Sequence, residues 1–378
     1  MYIFNKYIVR FYFFLSDLSD FCRMNICLIY NNAGTGSSYY RLEMPHSFNM
    51  DGVNVFCVES PLMIEASDLE MLDLIIVNRS WCFPSSDKGL DVVHTTAKLL
   101  RTYGTKIILD MDDHWELGTG HSFYKYYQEN RMTDFVREHV KVADGVITST
   151  KYLEAECRNL NSKTITLPNV PNVSLYEQYG LKNVPKDKFG IGYFGGAQHE
   201  EDVELLRISM GKLSCDSSLD GRYLLALAGY NDNPVYNAYE KIFSNDGHNI
   251  NYTRILAADI YSYVGGYNYV DVALAPLRRT KFNMFKSELK ITEAAFMGKT
   301  VICSDLPMYA DVVKDGYNGF IISDNKKSLW YKRIKTLINE PELSHLMATR
   351  LKEDMIQFLS PSEVPKKRMD FYRSICSK

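Results

Sequence analysis

The sequence predicts an α/β protein built on two doubly wound parallel sheets, and three observations carry that prediction. Short apolar or β-branched runs alternate with helix-length stretches. The alternation pauses once, at a polar, proline-bearing stretch, and then restarts. The chain of 378 residues is also long enough for two sizeable cores at roughly 100–200 residues per domain.

Taken in order, the first run is Asn25–Tyr30, which ends in the loop NNAGTGSS (31–38) and opens a mixed helical stretch from Tyr39. Val53–Val58, Leu72–Val77, Lys106–Leu109, Gly145–Thr148 and Thr164–Leu167 follow as runs of strand length. Between them, Gly89–Tyr103 places Leu90, Val93, Ala97 and Leu100 at helical spacing. The polar stretch from Asn169, and above all Tyr179–Lys188 with Pro185, reads as a linker. The second series is Gly190–Phe194, Tyr223–Leu227, Tyr252–Leu256, Asp271–Ala275, Thr300–Cys303 and Gly319–Ile322, closed by a polar helical tail from Lys326. The expected layout is therefore an N-terminal Rossmann-like domain over 24–184, a C-terminal Rossmann-like domain over 185–345 and a helical tail over 346–378. In such folds ligands bind beyond the carboxyl ends of the strands, so the two domains are expected to face each other across a ligand-binding cleft.

Composition removes several classes of function. With 46% hydrophobic and 24% charged residues the chain is neither disordered nor fibrous. Lys plus Arg number 43 against 46 for Asp plus Glu, a net charge of −3. That balance supplies no bulk attraction to DNA or RNA, so no nucleic-acid partner is expected. The eight cysteines form no C-x-x-C pair and have no histidine at zinc-ligand spacing. They read as reduced thiols of a cytoplasmic protein, with no metal site among them. Residues 1–23 are rich in Ile, Phe and Tyr, but Lys6 and Arg10 interrupt them well short of the ~20 apolar residues that span a bilayer. A translated leader before Met24, an interfacial amphipathic segment and ordinary packed structure are the three readings.

Three segments carry candidate chemistry. The first runs from the buried strand ending at Pro276 into FNMFKSELKITE (282–293), a polar loop that becomes a helix near Ser287 or Glu288. Lys286 and Lys290 at a helix start oppose the helix dipole unless an anion sits there. Together with the free N–H groups of that terminus they make a cradle for a diphosphate, and Glu293, a turn further on, is placed to accept hydrogen bonds from ribose hydroxyls. A solvated helix face is the plain alternative. The second segment is GYFGGAQHEED (192–202), where Gly195 and Gly196 let the backbone approach a phosphate or sugar and His199 offers it a hydrogen bond. The third is DMDDHW (110–115), three carboxylates in four residues after a strand, which must be solvated, paired or functional. Acceptor-hydroxyl binding, stabilisation of positive charge on a sugar, loop capping and a metal-binding D-x-D motif all fit that pattern. Arg41 reads as an acceptor or phosphate contact or as a surface helix residue, and Arg278, Arg279 and Lys281 as a phosphate-facing run or a solvated turn.

These motifs, in this order, resemble the retaining nucleotide-sugar glycosyltransferases of GT-B fold, the family-4-like group 1 enzymes, and within them the branch with an F-N-x-x-K-S-x-x-K-x-x-E core. That core here is Phe282–Glu293, followed by AAFMGKTVICSD (294–305) and DGYNGFII (315–322), and the similarity extends from about Met24 to about Asn339. The segment 192–202 resembles the branch's G-x-x-x-H-x-x-D turn, and Gly34 and Gly36 resemble the family's first glycine-rich loop. Glu293 matches the second Glu of the family's Glu–seven residues–Glu motif, whereas Phe285 occupies the first position. Asp112 stands where many relatives carry the His of a His-Asp pair.

The resemblance implies a glycosyltransferase of hexosyltransferase type, in polysaccharide biosynthesis, that moves a sugar with retention from a nucleoside-diphosphate-sugar to a hydroxyl of a glycan or lipid-linked glycan. The nucleotide-sugar is a co-substrate and no cofactor or metal is implied. Gly34, Gly36, Gly195, Gly196, His199, Lys286, Ser287, Lys290 and Glu293 would bind the donor, with Asp112 and Asp113 at the reaction centre. A cytoplasmic protein with peripheral contact at the inner face of the membrane suits such an acceptor. A non-catalytic GT-B-like glycan or nucleotide reader and a nucleotide-sugar epimerase are the alternatives.

Overall fold

In a computed structural model the chain is described over residues 24–31, 34–47, 52–82, 89–180, 187–323 and 326–377. The segment 1–23 and most of the linker Tyr179–Lys188 lie outside the described residues. All twelve expected strands are present, and they form two six-stranded parallel sheets. The chain divides into two compact units. One holds the described residues of Met1–Trp115, Tyr126–Pro168 and Ser362–Lys378, the other those of Glu116–Lys125 and Asn169–Pro361.

The first unit's sheet comprises β1 (Met24–Ile29), β2 (Val53–Val58), β3 (Leu74–Asn78), β4 (Lys106–Met111), β5 (Gly145–Thr148) and β6 (Thr164–Thr166), in the order β2-β1-β3-β4-β5-β6. Parallel strands need crossovers that cover both faces, so central strands read as continuous apolar runs rather than alternating ones. Leu74-Ile-Ile-Val77 is such a run, with all four side chains buried. The helix Asp91–Thr102 buries Val93, Ala97 and Leu100, three of the four positions its spacing marks. The sheet winds outward from β1 in both directions, so its topological switch lies between β1 and β3.

The second unit repeats the plan with β7 (Phe189–Phe194), β8 (Tyr223–Tyr230), β9 (Tyr252–Leu256), β10 (Val272–Ala275), β11 (Thr300–Ser304) and β12 (Phe320–Ile322), in the order β12-β11-β10-β7-β8-β9. Its switch lies between β7 and β10. The core packs Ile191, Leu225, Val272 and Ile302 of the sheet against helix residues such as Met210 and Ile334.

The tail and the domain boundary differ from the sequence expectation. The tail is three helices, Leu329–Asn339, Pro341–Leu359 and Val364–Cys376, broken where Pro341 starts the second and Ser360 adopts a left-handed φ of 44°. Only the last joins the first unit. There Tyr372 Oη lies 2.9 Å from His46 Nε2, and Ile375 fills the space a Cβ on Gly145 would need, 2.8 Å away. Burial pushes His46 down to about 3, so this contact is one of a neutral ring. The boundary between units falls at 168/169 rather than 184/185. The helix Val173–Gly180 packs into the second unit: Tyr176 meets Phe296 edge-on at 6.2 Å, and Asn268 Nδ2 donates to the Tyr179 carbonyl.

The seven cysteines among the described residues are all free thiols. Among those residues no helix is long and apolar enough to cross a membrane.

Candidate functional site

The carboxyl end of β7 and the carboxyl end of β10 meet at the second unit's switch point, and seven of the sequence-selected residues gather on the loops that leave them or on the helix that follows. The turn after β7 is held from below by two tyrosines of the helix Val235–Phe243: Tyr236 Oη donates to the Gly195 carbonyl at 2.8 Å and Tyr239 Oη to that of Gly196 at 3.1 Å. The His199 N–H donates in turn to Tyr239 Oη at 2.9 Å. Gly195 answers to packing as well as to any ligand, because a Cβ there would collide with Tyr193 Oη.

Asp202 is the hub of the turn. Its Oδ1 accepts from the Arg278 N–H at 2.7 Å and from Asn283 Nδ2 at 3.1 Å, tying β7's loop to β10's. Its Oδ2 lies 2.7 Å from His199 Nδ1. A carboxylate only accepts, so His199 donates from Nδ1 and presents Nε2 as the lone-pair nitrogen whenever the ring is neutral. Burial, then the positive field of Lys290, push the imidazole down to about 4, against the opposing pull of Asp202. The ring is neutral at pH 7.

The helix Leu289–Phe296 starts without a side-chain cap, and the N–H groups of a first helical turn have no partner inside their own helix. Lys286 precedes it in extended conformation, its ammonium 4.6 Å from the centre of the Phe282 ring. Lys290 is only partly accessible and lies 5.4 Å from the Tyr193 ring centre. Burial pushes its ammonium down to about 8, with Glu293 pulling it up and Lys286 pulling it further down. Ser287 Oγ accepts from Asn169 Nδ2 at 3.0 Å. Glu293 is buried and receives one phenol on each oxygen: Tyr263 donates to Oε1, and Tyr267 to Oε2 at 2.9 Å. Lys286, Lys290 and His199 thus lie close enough for their charges to be felt by one another, beside a helix start and with a carboxylate held by two phenols one turn away.

In the first unit the loop after β1 lies at that unit's own switch point. Gly34 takes a left-handed φ of 78°, which suits glycine, and Thr35 caps the short helix Gly36–Ser38 by accepting from the Ser38 N–H at 3.3 Å. The next turn widens to a π-helix, Tyr39–Glu43. This turn carries Arg41 inward rather than to the surface or toward a ligand: fully buried, it grips Asp110 at 2.7 and 3.1 Å and donates to the Leu167 carbonyl.

Asp112 and Asp113 are paired too, with a residue that the sequence motifs do not single out. Arg79, immediately after β3, donates through Nε and Nη2 to the two oxygens of Asp112 at 2.7 and 2.9 Å, and through Nη2 to Asp113 at 2.7 Å and Ser37 Oγ at 3.3 Å. Burial alone would raise the Asp112 carboxyl, but Arg79 outweighs it and holds the group well below the usual carboxylate range. Arg79 does this from a left-handed backbone, φ 64°, a costly conformation for a residue with a Cβ. Its only signal in the sequence is an arginine directly after an apolar strand. The carboxylates of Asp110 and Asp112 are thus each matched by an arginine, a donor set that repels a divalent cation. Among the described residues no group of three or more His, Cys, Asp and Glu side chains is disposed to hold a metal ion.

Other polar side chains on these loops have local roles. Thr150 caps the helix Lys151–Arg158, and His121 packs edge-on against Phe282. In the basic run Arg278 pairs with Glu201, Lys281 with Glu116, and Arg279 donates to the Asp305 carbonyl.

Comparison with known proteins agrees with the second unit's architecture. Residues 188–340 match the sequence profile of the family described as glycosyl transferases group 1. No curated protein matches the chain in sequence. Among solved structures the chain is similar to Anabaena HepE in complex with UDP and glucose, at 14% identity over 93% of this chain and 100% of that one, TM-score 0.65. It is similar also to sucrose-phosphate synthase from Thermosynechococcus elongatus, at 14% identity over 93% and 99%, TM-score 0.64. A glycosyltransferase from Rickettsia africae aligns at 12% identity over 95% and 100%, TM-score 0.59. At these identities the likeness establishes the fold, which is GT-B.

Proposed function

We propose that the protein is a glycosyltransferase that moves a sugar from a nucleoside-diphosphate-sugar to a hydroxyl of a glycan or lipid-linked glycan, with retention at the anomeric carbon. The observation that carries this reading is the clustering of Lys286, Lys290 and His199 at the second unit's switch point, within the stretch that matches group 1 glycosyl transferases. Neighbours in the same fold include a protein solved with UDP-glucose and another solved with UDP and GlcNAc.

In this reading the diphosphate sits at Lys286, Lys290, Ser287 and the Gly195–His199 turn, and Glu293 takes the ribose. The leaving diphosphate gains negative charge as the glycosidic bond breaks. Fixed cations and N–H dipoles stabilise that charge more than the ground state, which is where rate acceleration comes from. Asp112 and Asp113, held by Arg79, align the acceptor hydroxyl and stabilise positive charge on the sugar. Phe285 leaves no carboxylate at the first Glu position of the family motif, so sugar recognition there passes to other groups.

The test is thermal shift and slow donor hydrolysis across UDP-, GDP-, ADP- and dTDP-sugars, for the native chain and Glu293→Gln. One donor is expected to stabilise the native chain and be hydrolysed, with both effects lost in the variant. Stabilisation with conversion of the sugar and no release would indicate an epimerase, and no response to any donor would sink the assignment.

His199 adds a proton signature. Burial, and after it the charge of two nearby lysines, keeps the ring neutral; a bound diphosphate offsets the lysine charge and so shifts the ring toward the protonated form that donates from Nε2. A group whose pKa rises on binding takes up a proton between its free and bound values. Calorimetry of a binding nucleoside diphosphate at pH 6, in buffers of different ionisation heat, should therefore show uptake of a fraction of a proton. The uptake should vanish in His199→Asn; equal uptake in both proteins would assign it elsewhere.

A further inference from the structure

We infer that Tyr263 and Tyr267 are positioning residues that aim the Glu293 carboxylate and thereby set the preference for a ribose over a deoxyribose nucleotide. The inference rests on the donor-site reading above and extends it to two residues that no motif marks. Both lie on one short 3-10 helix, Tyr263–Tyr269, between β9 and β10, some thirty residues before the carboxylate they hold.

That helix is itself fixed. The Tyr267 ring stacks on Phe194, at the end of β7, with centres 3.8 Å apart and planes 6° from parallel. Gly266 makes room for the Phe194 ring, since a Cβ there would lie 3.2 Å from Phe194 Cε1. Asn268 pins the far end to the Tyr179 carbonyl at 2.9 Å. The phenol of Tyr267 therefore has one place to point, and it points at Glu293 Oε2. Tyr263 reaches the other oxygen.

A glutamate has three rotatable bonds, and left to itself it would spread over several rotamers. With one phenol donating to each oxygen, the carboxylate plane is set before any ligand arrives. Each carboxylate oxygen has a second lone-pair site, and two hydroxyls of a vicinal diol match two such sites in one plane. Preorganisation of this kind is worth affinity only to a ligand that uses both oxygens. A nucleotide without the 2′-hydroxyl gains little from it. The tyrosines thus act on the ratio between ribose and deoxyribose forms, which a merely structural role would leave alone.

The experiment uses Tyr263→Phe, Tyr267→Phe and the double variant of the full chain. Phenylalanine keeps the ring and the stack on Phe194 and removes only the hydroxyl; melting temperature reports that folding is intact. Calorimetry measures the tightest binder among UDP, GDP and ADP, and its 2′-deoxy counterpart. The native chain is expected to prefer the ribose form about tenfold or more. Each single variant should lose about three- to tenfold on the ribose form and little on the deoxy form, and the double variant should bind both alike. In a Glu293→Gln background the tyrosine substitutions should no longer change the ratio. Native-like preference in the double variant overturns the inference while leaving the donor site standing, as does a native chain that binds without preferring ribose. Absence of binding by the native chain removes the donor-site reading and this inference with it.

Discussion

Replacing Lys290 with methionine is expected to remove donor turnover and, at the same time, to stabilise the folded chain at neutral pH. The ammonium sits where burial pushes it from 10.5 to about 8, so the folded chain carries a cation that its surroundings disfavour. Below pH 8 the lysine is protonated in both folded and unfolded states, and folding bears the whole cost of burying the charge. Between pH 8 and 10.5 the folded state sheds the proton while the unfolded chain keeps it. Stability contributed by this residue therefore rises across that window. At 1.36 kcal/mol per unit the cost is on the order of 2–3 kcal/mol, and toward the lower end because the side chain keeps some access to water. A bound diphosphate reverses the sign, since it meets a cation already desolvated and aimed. Loss of that charge should lower kcat/KM by roughly 100- to 1,000-fold, in the range seen when one preorganised stabilising group is removed. Urea unfolding at pH 7 and pH 9.5, beside donor hydrolysis, checks both halves. A change in stability on Lys290→Met that is the same at the two pH values, a destabilisation at pH 7, or unchanged turnover would refute the role given to Lys290.

How much of this was legible beforehand follows from where the information lies. Both sheets could be read because strands covered on both faces must be apolar along their whole length, as Leu74–Val77 and Val272–Ala275 are. The pairing of Lys286 and Lys290 with a helix start could be read because the helix dipole makes lysine there costly without an anion. Arg41 could not be read correctly, since the π-turn that carries it inward has no signature in residue spacing. Tyr263, Tyr267 and Arg79 were invisible for another reason. Each acts on a carboxylate 26 to 33 positions away, through contacts that exist only once a sheet has formed. The tail reads in the sequence as one polar helical stretch, and only the fold reveals that its last helix returns to the first unit.

Arg79 is the second place where a large effect is expected. One guanidinium satisfies Asp112 with two hydrogen bonds, touches Asp113, and reaches Ser37 beside the glycine-rich loop. Arg79→Ala leaves two adjacent carboxylates with their cation gone, and repulsion should move both. A displacement of about 1 Å at a reacting group costs about 100-fold in rate, so turnover should fall at least that far. Breaking a fully buried pair costs about 3–5 kcal/mol; Arg79 is 35% exposed, which brings the expected loss to about 2 kcal/mol. Arg79→Lys keeps the charge but not the fork that matches a carboxylate, and should recover stability better than rate. Arg79→Gly separates backbone from side chain: glycine accepts φ 64° without strain, so it should be about 1 kcal/mol more stable than alanine and equally inactive. The pH dependence carries the same signature. The folded Asp112 carboxyl lies below its unfolded value of 3.8, so its contribution is complete above about pH 4 and disappears as pH falls through the folded value. All three substitutions should flatten that acid limb, least so in lysine. Wild-type turnover with an unchanged acid limb in Arg79→Gly would show that Arg79 neither holds these carboxylates nor matters to what they do.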